Sequence, residues 1–448
     1  MFRARWQGAI LAVALLAAAL PRPAAAQSLI RDAEIERTLG RIADPLLRTA
    51  GLSPGQVDIY ILNDPEPGAF VAGGNNIFLH TGLLRELESI DQLRAVIAHE
   101  LGHIVGGHIA RRDQQIRQAR GTTALGAVLS IVAAAAGGGA DAALATGSLF
   151  GTAANRNLLA HSRAEEGAAD QAAVNLMAGA GAQPQAMLEV MEKFRGQAAL
   201  HVGPGATGYT STHPLWSDRI RYLEERVANA PKGHPPGEED RYWYGRMVAK
   251  LDAFLASPRT ALALYRGDES ENGLMARAIA WHRLPDLGQA RAAMDKLLAA
   301  RPDDPYTHEM DGQFRLENGE VEAAVAAYRR AAELLPYEPL ILSGLGRALV
   351  ARDTRAADAE ALKVLTRARQ LDRADAMALR NLAVVHARMG DEGQASLATA
   401  ERMMLAGRLQ DAGIHATRAM RALPRGGPGW RQAEEIVEAA RRTERERR

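Results

Sequence analysis

Small residues return every 34 positions in the C-terminal third of this 448-residue chain. Pro302 and Pro336 are 34 apart, and so are Gly312 and Gly346. Ala324 and Ala331 follow Gly312 by twelve and nineteen residues. Their counterparts in the next unit, Ala361 and Ala368, lie 37 further on, so that unit carries three extra residues. The spacing is 34 again from Ala361 to Ala395, with Ala383 in the glycine's place. Nothing else in the chain restricts the fold as strongly. A unit of this length holds a pair of helices that cannot bury its apolar face alone, so neighbours must stack. Small side chains at fixed offsets let the paired helices approach closely. The outcome is an α-solenoid with a groove of the kind that holds a peptide or a partner protein.

The period is that of the tetratricopeptide repeat. About four units fit between roughly 270 and 424, and 425–448 reads as a charged C-terminal helix. The stretch APKGHPPGEED (230–240) is a linker by its Pro, Gly and charge, and 230–269 is read as linker plus connecting helix. Hydrophobic residues at 47% and charged residues at 24% fit a globular protein, while aromatics are only 5%. The length exceeds one ordinary core. The expected fold is therefore mainly α: an α+β domain over 27–229, then the solenoid.

The first 26 residues read as a signal peptide. Arg3 and Arg5 form a basic start, an apolar run covers Ala9 to Leu20, and Ala24-Ala25-Ala26 offers an A-x-A cleavage site. The apolar run is shorter than the roughly 20 residues of a membrane span. Without Arg3, Arg5 and Arg22, the basic residues fall from 54 to 51 against 53 acids, a net charge of −2. Nothing in that balance calls for nucleic acid. There is no cysteine, so an exported chain has neither a disulfide nor a lipid-modifiable thiol. Export places the protein in the periplasm. Residues 121–151 are apolar and glycine-rich, with Gly137–Gly139 and Asp141 interrupting them. They read as a packed helical hairpin or lid, or as a surface for peripheral membrane contact.

In the N-terminal half, 31–50 carries helical periodicity, with Ile35, Leu39, Ile42, Leu46 and Leu47 on one face. Val57–Leu62 reads as a strand, NDPEPGAF (63–70) as a turn, and Asn75–Leu84 as a strand that becomes a helix near Thr81. Residues 89–108 form a strong helix with Leu93, Val96, Ile97, Leu101 and Ile104 as its buried stripe. A further helix covers 161–181.

The 89–108 helix contains His99-Glu100-Leu101-Gly102-His103. Residues four apart share a helix face, so His99 and His103 can each place a ring nitrogen on one metal ion. Glu100, about 100° round, can reach a water on that metal without being a ligand. Zinc acidifies such a water, and Glu100 is placed to take its proton. Gly102 weakens the helix by roughly 1 kcal/mol relative to Ala, which points to close approach of another backbone there. A catalytic zinc takes three protein ligands. Glu165, Glu166 and Asp170 on the 161–181 helix are the candidates. Glu166 and Asp170 share a face, so one can bind metal while the other orients a ligand histidine. Glu165 has Ala169 at that offset. This geometry favours Glu166 as the metal ligand.

HELGH, then SRAEEGAAD (162–170), then STHPLWSDRI (211–220) together resemble the zinc metallopeptidases of the HtpX and CaaX-prenyl-protease type. Their third-ligand helix reads S-R-x-x-E-x-x-A-D, matched here by Ser162, Arg163, Glu166, Ala169 and Asp170. The resemblance implies a gluzincin-type metallopeptidase domain with one Zn2+, Glu166 as ligand and Asp170 as its supporting carboxylate. It also implies a role for His213 of the Thr212-His213-Pro214 motif, either stabilising the oxyanion or closing on zinc as a fourth ligand that keeps the enzyme latent. With an export signal and a repeat tail, it extends over nearly all of the mature chain. The implied task is proteolysis of misassembled outer-membrane proteins, with chaperone-like help to those still assembling. Docking to the barrel assembly machinery would run through the repeats.

Arg219 is read as an oxyanion or substrate-carbonyl partner, and His80, His108, His161 and His201 as ordinary residues without partners at metal spacing. The strand Asn76, Ile77, Phe78, Leu79, just before the zinc helix, is read as an open edge that holds substrate extended. The leading reading is an exported zinc endopeptidase acting on polypeptides. Its rival is a chaperone or adaptor that works through the tetratricopeptide groove and keeps a latent zinc site. An intact Glu100 weighs against the rival, because a structural metal site needs no base.

Overall fold

The computed structural model describes residues 29–111, 162–200, 213 and 217–446. The expected signal peptide (1–26), the apolar segment 121–151, and His161, His201, Thr212 and Pro214 lie outside the described residues. The periodic stretch at 31–50 forms α1 (Ala33–Thr49), capped by Asp32, whose side chain accepts from the Ile35 amide. Its apolar face is buried at Ile35, Leu39, Ile42, Leu46 and Leu47.

α1 covers a four-stranded sheet of order β1-β2-β4-β3: β1 (Leu29–Ile30), β2 (Asp58–Leu62), β3 (Ala69–Ala72) and β4 (Asn76–His80). β2 and β4 pair in parallel, and the two outer strands pair antiparallel. Alternation sorts the side chains. Ile77 and Leu79 enter the main core, while Phe78 stacks between Phe70 and Tyr60 on the opposite face. β4 passes directly into α2 (Thr81–Glu86). β1 and β3 are absent from the sequence reading, which makes the β3 region a turn. β4 also differs from expectation: it lies between β2 and β3, with both backbone edges paired, so it is not the open strand. The outer edges belong to β1 and β3.

α3 (Ile90–Val105) begins at Ser89, which caps the Gln92 amide, and ends before Gly106-Gly107. It runs through the middle of the domain, with Leu93, Val96, Ile97 and Leu101 fully buried, each stabilising by about 1.5–3 kcal/mol. α4 (Arg163–Gly179) opens with a capping box between Ser162 and Glu165 and packs along α3. A Cβ at Gly102 would sit 2.6 Å from the Ala169 carbonyl oxygen. That is the close backbone approach expected of this glycine. α5 (Gln185–Leu200) and α6 (Ser217–Asn229) complete the domain.

α7 (Glu238–Leu255) belongs to two cores. Met247 and Leu251 join the α3 core, and Ala249 and Ala253 join that of the repeats. After α8 (Pro258–Leu264) come five helix pairs among the described residues. They are α9 (Glu271–Arg283) with α10 (Leu287–Ala300), α11 (Pro305–Glu317) with α12 (Val321–Leu334), α13 (Pro339–Ala351) with α14 (Arg355–Leu371), α15 (Ala376–Arg388) with α16 (Glu392–Leu405), and α17 (Leu409–Ala422) with α18 (Pro428–Glu446). A Cβ at Gly312 would meet the Tyr328 ring at 2.6 Å, which is why a small residue recurs at this offset. The three extra residues lengthen α14 to 17 against 14 in α12. The charged terminal helix does not stand apart. Ala433, Ile436 and Val437 close α18 onto Ala412, Ala416 and Ala419 of α17.

The N-terminus of α1 is tied to the solenoid side by ion pairs. Arg246 reaches Glu34 at 2.5 Å and Asp304 at 2.8 Å, Lys250 reaches Asp32 at 2.7 Å, and Arg31 reaches Asp372 at 2.7 Å. No helix among the described residues is long and apolar enough to cross a membrane.

Candidate metal centre

α3 presents His99 and His103 on one face, α4 brings Glu166 opposite them, and the residue His213 enters ahead of α6. All four are buried, with ligand atoms within 4.8 Å of one another. His99 Nε2 lies 3.1 Å from His103 Nε2, 3.2 Å from His213 Nδ1 and 3.5 Å from Glu166 Oε2. Glu166 Oε1 lies 3.4 Å from His103 Nε2 and 3.0 Å from His213 Nδ1. A tetrahedron with zinc–nitrogen bonds of 2.0–2.1 Å has edges of about 3.4 Å, so these separations fit one small ion.

The hydrogen bonds behind the cluster fix which nitrogens face inward. His99 Nδ1 donates to Asp170 Oδ1 at 2.9 Å, leaving Nε2 with its lone pair toward the centre. His103 Nδ1 is 2.9 Å from His108 Nδ1, which does the same for His103. His213 Nε2 donates to the Ala69 carbonyl oxygen at 3.2 Å and turns Nδ1 inward. Lone pairs set this close repel unless a cation lies between them.

Charge gives the same answer. Glu100, Glu166 and Asp170 are buried carboxylates, and among the described residues Arg219 is the one buried guanidinium against them. Three negative charges and one positive leave two unbalanced, which a divalent cation would match. Burial alone would raise the Glu100 pKa, but His213, then His99 and His103, hold it below the usual carboxylate range. Burial works against a charged His213, yet Glu166 and Glu100 push it up to about 10. Both shifts express the demand for positive charge at this point. Glu100 Oε1 is 3.2 Å from His213 Nε2, and among the described residues neither Glu100 oxygen accepts a well-formed hydrogen bond. A buried carboxylate left in that state is costly, and its retention marks a site of chemistry.

Arg219, read from sequence as a substrate-carbonyl partner, turns inward instead. Its Nε donates to Asp170 Oδ2 at 2.6 Å, its Nη2 to Asp170 Oδ1 at 2.9 Å, and its Nη1 is 2.6 Å from Glu166 Oε2. One guanidinium thus clamps both carboxylates of α4. Together with His99, it holds the Asp170 carboxyl below its ordinary range against burial. His108 also departs from the ordinary role assigned to it. The signal was the break at Gly106-Gly107, which returns the chain toward His103 where an unbroken helix would carry it away. His80 stays apart from the cluster, with Nδ1 3.0 Å from the Glu66 carbonyl oxygen. Asn76, Ile77, Phe78 and Leu79 sit in the interior strand described above.

The donor set is compatible with a metal. Residues 30–227 match peptidase family M48. The chain is 26% identical over 394 residues to the beta-barrel assembly-enhancing protease of Yersinia pestis, covering 87% of this chain and 79% of that one. Against the protein of the same name from Escherichia coli (strain K12), it is 26% identical over 392 residues, 86% of this chain and 78% of that one. The mitochondrial metalloendopeptidase OMA1 of Schizosaccharomyces pombe is 30% identical over 193 residues, 43% of this chain and 53% of that one. The family and these relatives support a metalloprotease. With the repeats behind it, the chain carries a peptidase family M48 domain over residues 30–227.

Proposed function

We propose that this chain is an exported, zinc-dependent endopeptidase of gluzincin type, working in the periplasm on outer-membrane proteins. It degrades misassembled ones and gives chaperone-like help to those still assembling, with its repeats docking to the barrel assembly machinery. The observation that carries the catalytic part is the set of donor separations of 3.0–3.5 Å among His99, His103, Glu166 and His213. The names of the two bacterial relatives support the substrate class.

In this reading His99, His103 and Glu166 hold the ion, and Asp170, His108 and Arg219 hold those three. Bound zinc supplies Lewis acidity and an acidified water. Glu100 takes the proton of the attacking water and hands it to the leaving amine. Peptide lies extended along β3, whose outer edge pairs with no strand among the described residues. His213 fills the fourth position of the donor set and occupies the Ala69 carbonyl of that strand. The form described is therefore latent, which gives the chaperone or adaptor reading a place as the resting state of the same protein.

The test is metal content beside cleavage on the same samples. Wild type is expected to hold stoichiometric zinc and cleave casein, and Glu166→Ala to lose both. Retention of zinc and cleavage by Glu166→Ala would overturn the assignment. His213→Ala should raise basal cleavage several-fold by opening the fourth position. A drop in rate would assign His213 to oxyanion stabilisation instead.

A further inference from the structure

The sheet has a second open edge, on the side of the solenoid. β1 pairs with β2 only through Leu29 with Leu62 and Ile30 with Ile61, before the chain turns off into α1. Asp58, Ile59 and Tyr60 pair with β4 on one side and, among the described residues, with no strand on the other. No turn or loop among the described residues takes up their backbone groups either. Asp58 is exposed, and Ile59 and Tyr60 are half-buried.

This edge lines a cavity of about 840 Å3. α1 forms one wall, and two stretches of the solenoid, 338–339 at the start of α13 and 371–374 between α14 and α15, form the other. The α1 wall is made by Glu36, Gly40, Ala43, Asp44 and Leu47, spaced as one stripe of a helix. Within that stripe stands a glycine. A Cβ at Gly40 would meet nothing within 4 Å, unlike one at Gly102 or Gly312. Glycine weakens a helix interior, and no packing contact of Gly40 requires it. Its effect is to leave room beside the strand edge.

The two sides of the cavity differ in kind. Ile59 packs against the main core, to which Ala43 and Leu47 belong. The pleat turns Asp58 and Tyr60 the other way, and the solenoid wall adds Asp372 and Arg373. An unpaired edge presents N–H and C=O groups at strand spacing, which another extended backbone matches.

We propose that the β2 edge, roofed by the solenoid, is a holding site for an extended polypeptide segment of alternating apolar and polar residues, which adds to the sheet beside residues 58–60. Alternate side chains of that segment meet the apolar and the charged side in turn. The site lies across the sheet from β3, so holding here needs neither a metal nor Glu100.

The test uses the full chain carrying Glu100→Gln, so that no probe is consumed. The probe is a fluorescein-labelled peptide of alternating Val and Thr between terminal lysines, beside the same peptide N-methylated at four consecutive central residues. Fluorescence polarisation should show binding of the plain peptide, and at least about tenfold weaker binding of the methylated one, which lacks the backbone donors. Gly40→Trp, which fills the space beside the edge, should weaken the plain peptide about tenfold or more, and Gly40→Leu replaces it should the tryptophan variant fail to fold. The chain has no cysteine, so Gly40→Cys and Val105→Cys each give a single thiol. A chloroacetyl group at the centre of the peptide should label the first and spare the second, although Val105, at the end of α3, is 48% exposed. Absence of binding, equal binding of the methylated peptide, or equal binding by wild type and the Gly40 variants overturns the proposal. So does a dimer of the chain that Gly40→Trp dissolves, which would give the edge to a second copy.

Discussion

Glu100→Gln should reduce casein cleavage by about 10²–10⁴-fold while zinc content and melting temperature stay at wild-type values. Glutamine keeps the shape of the side chain but cannot accept the proton of the attacking water. The structure separates this loss from metal loss, because the ligand atoms belong to His99, His103, Glu166 and His213, and Glu100 is not among the four. It also separates it from a folding defect, since glutamine keeps the volume of the side chain and among the described residues the one contact it alters is that of Glu100 Oε1 with His213 Nε2 at 3.2 Å. Zinc by elemental analysis, thermal melting and initial rates on one preparation decide the matter. A variant with full cleavage would remove Glu100 from the chemistry. A variant without cleavage that still supports full assembly of exported barrel proteins would make the repeats, and not hydrolysis, the main activity.

The largest stability effect is expected at Arg219. Arg219→Met should cost about 3–5 kcal/mol in denaturant unfolding of the zinc-loaded protein. The side chain is 4% exposed and clamps two carboxylates that are themselves buried. Methionine fills much of the space but leaves negative charge without its partner. Arg219→Lys should recover part of the loss, because it restores the charge without the two-pronged geometry. An arginine facing substrate would behave otherwise, with unfolding unchanged and only KM raised. That result would overturn the inward assignment.

The contrast between Arg219 and its neighbours shows what a sequence can carry. His99, Glu100 and His103 are legible because one turn of helix sets their relation. Glu166 and Asp170 are legible for the same reason within α4. The repeats are legible because each unit repeats the same local packing, so Gly312 and Gly346 mark the same contact. Arg219 depends on where α6 lies against α4, and no local periodicity encodes that. The strand order fails for the same reason. β4 follows a clear apolar pattern, but whether its edge is open depends on β3, four residues between glycines whose pairing spans the turn at Gly73-Gly74. Two-residue β1 leaves no pattern at all. His108 was within reach, because the Gly106-Gly107 break could have been followed back toward His103.

The division of α7 between two cores has a practical meaning for anyone who would take this protein apart. A cut at residue 230, the natural boundary by composition, would strip Met247 and Leu251 from beneath α3 and leave an apolar wound on the N-terminal domain. A cut after α7 would carry Ala249 and Ala253 away from α9 and expose the first repeats. The halves are therefore joined like two gears on one shaft: the repeats are held to the N-terminal domain at a set distance and angle, without a swivel at 238–255.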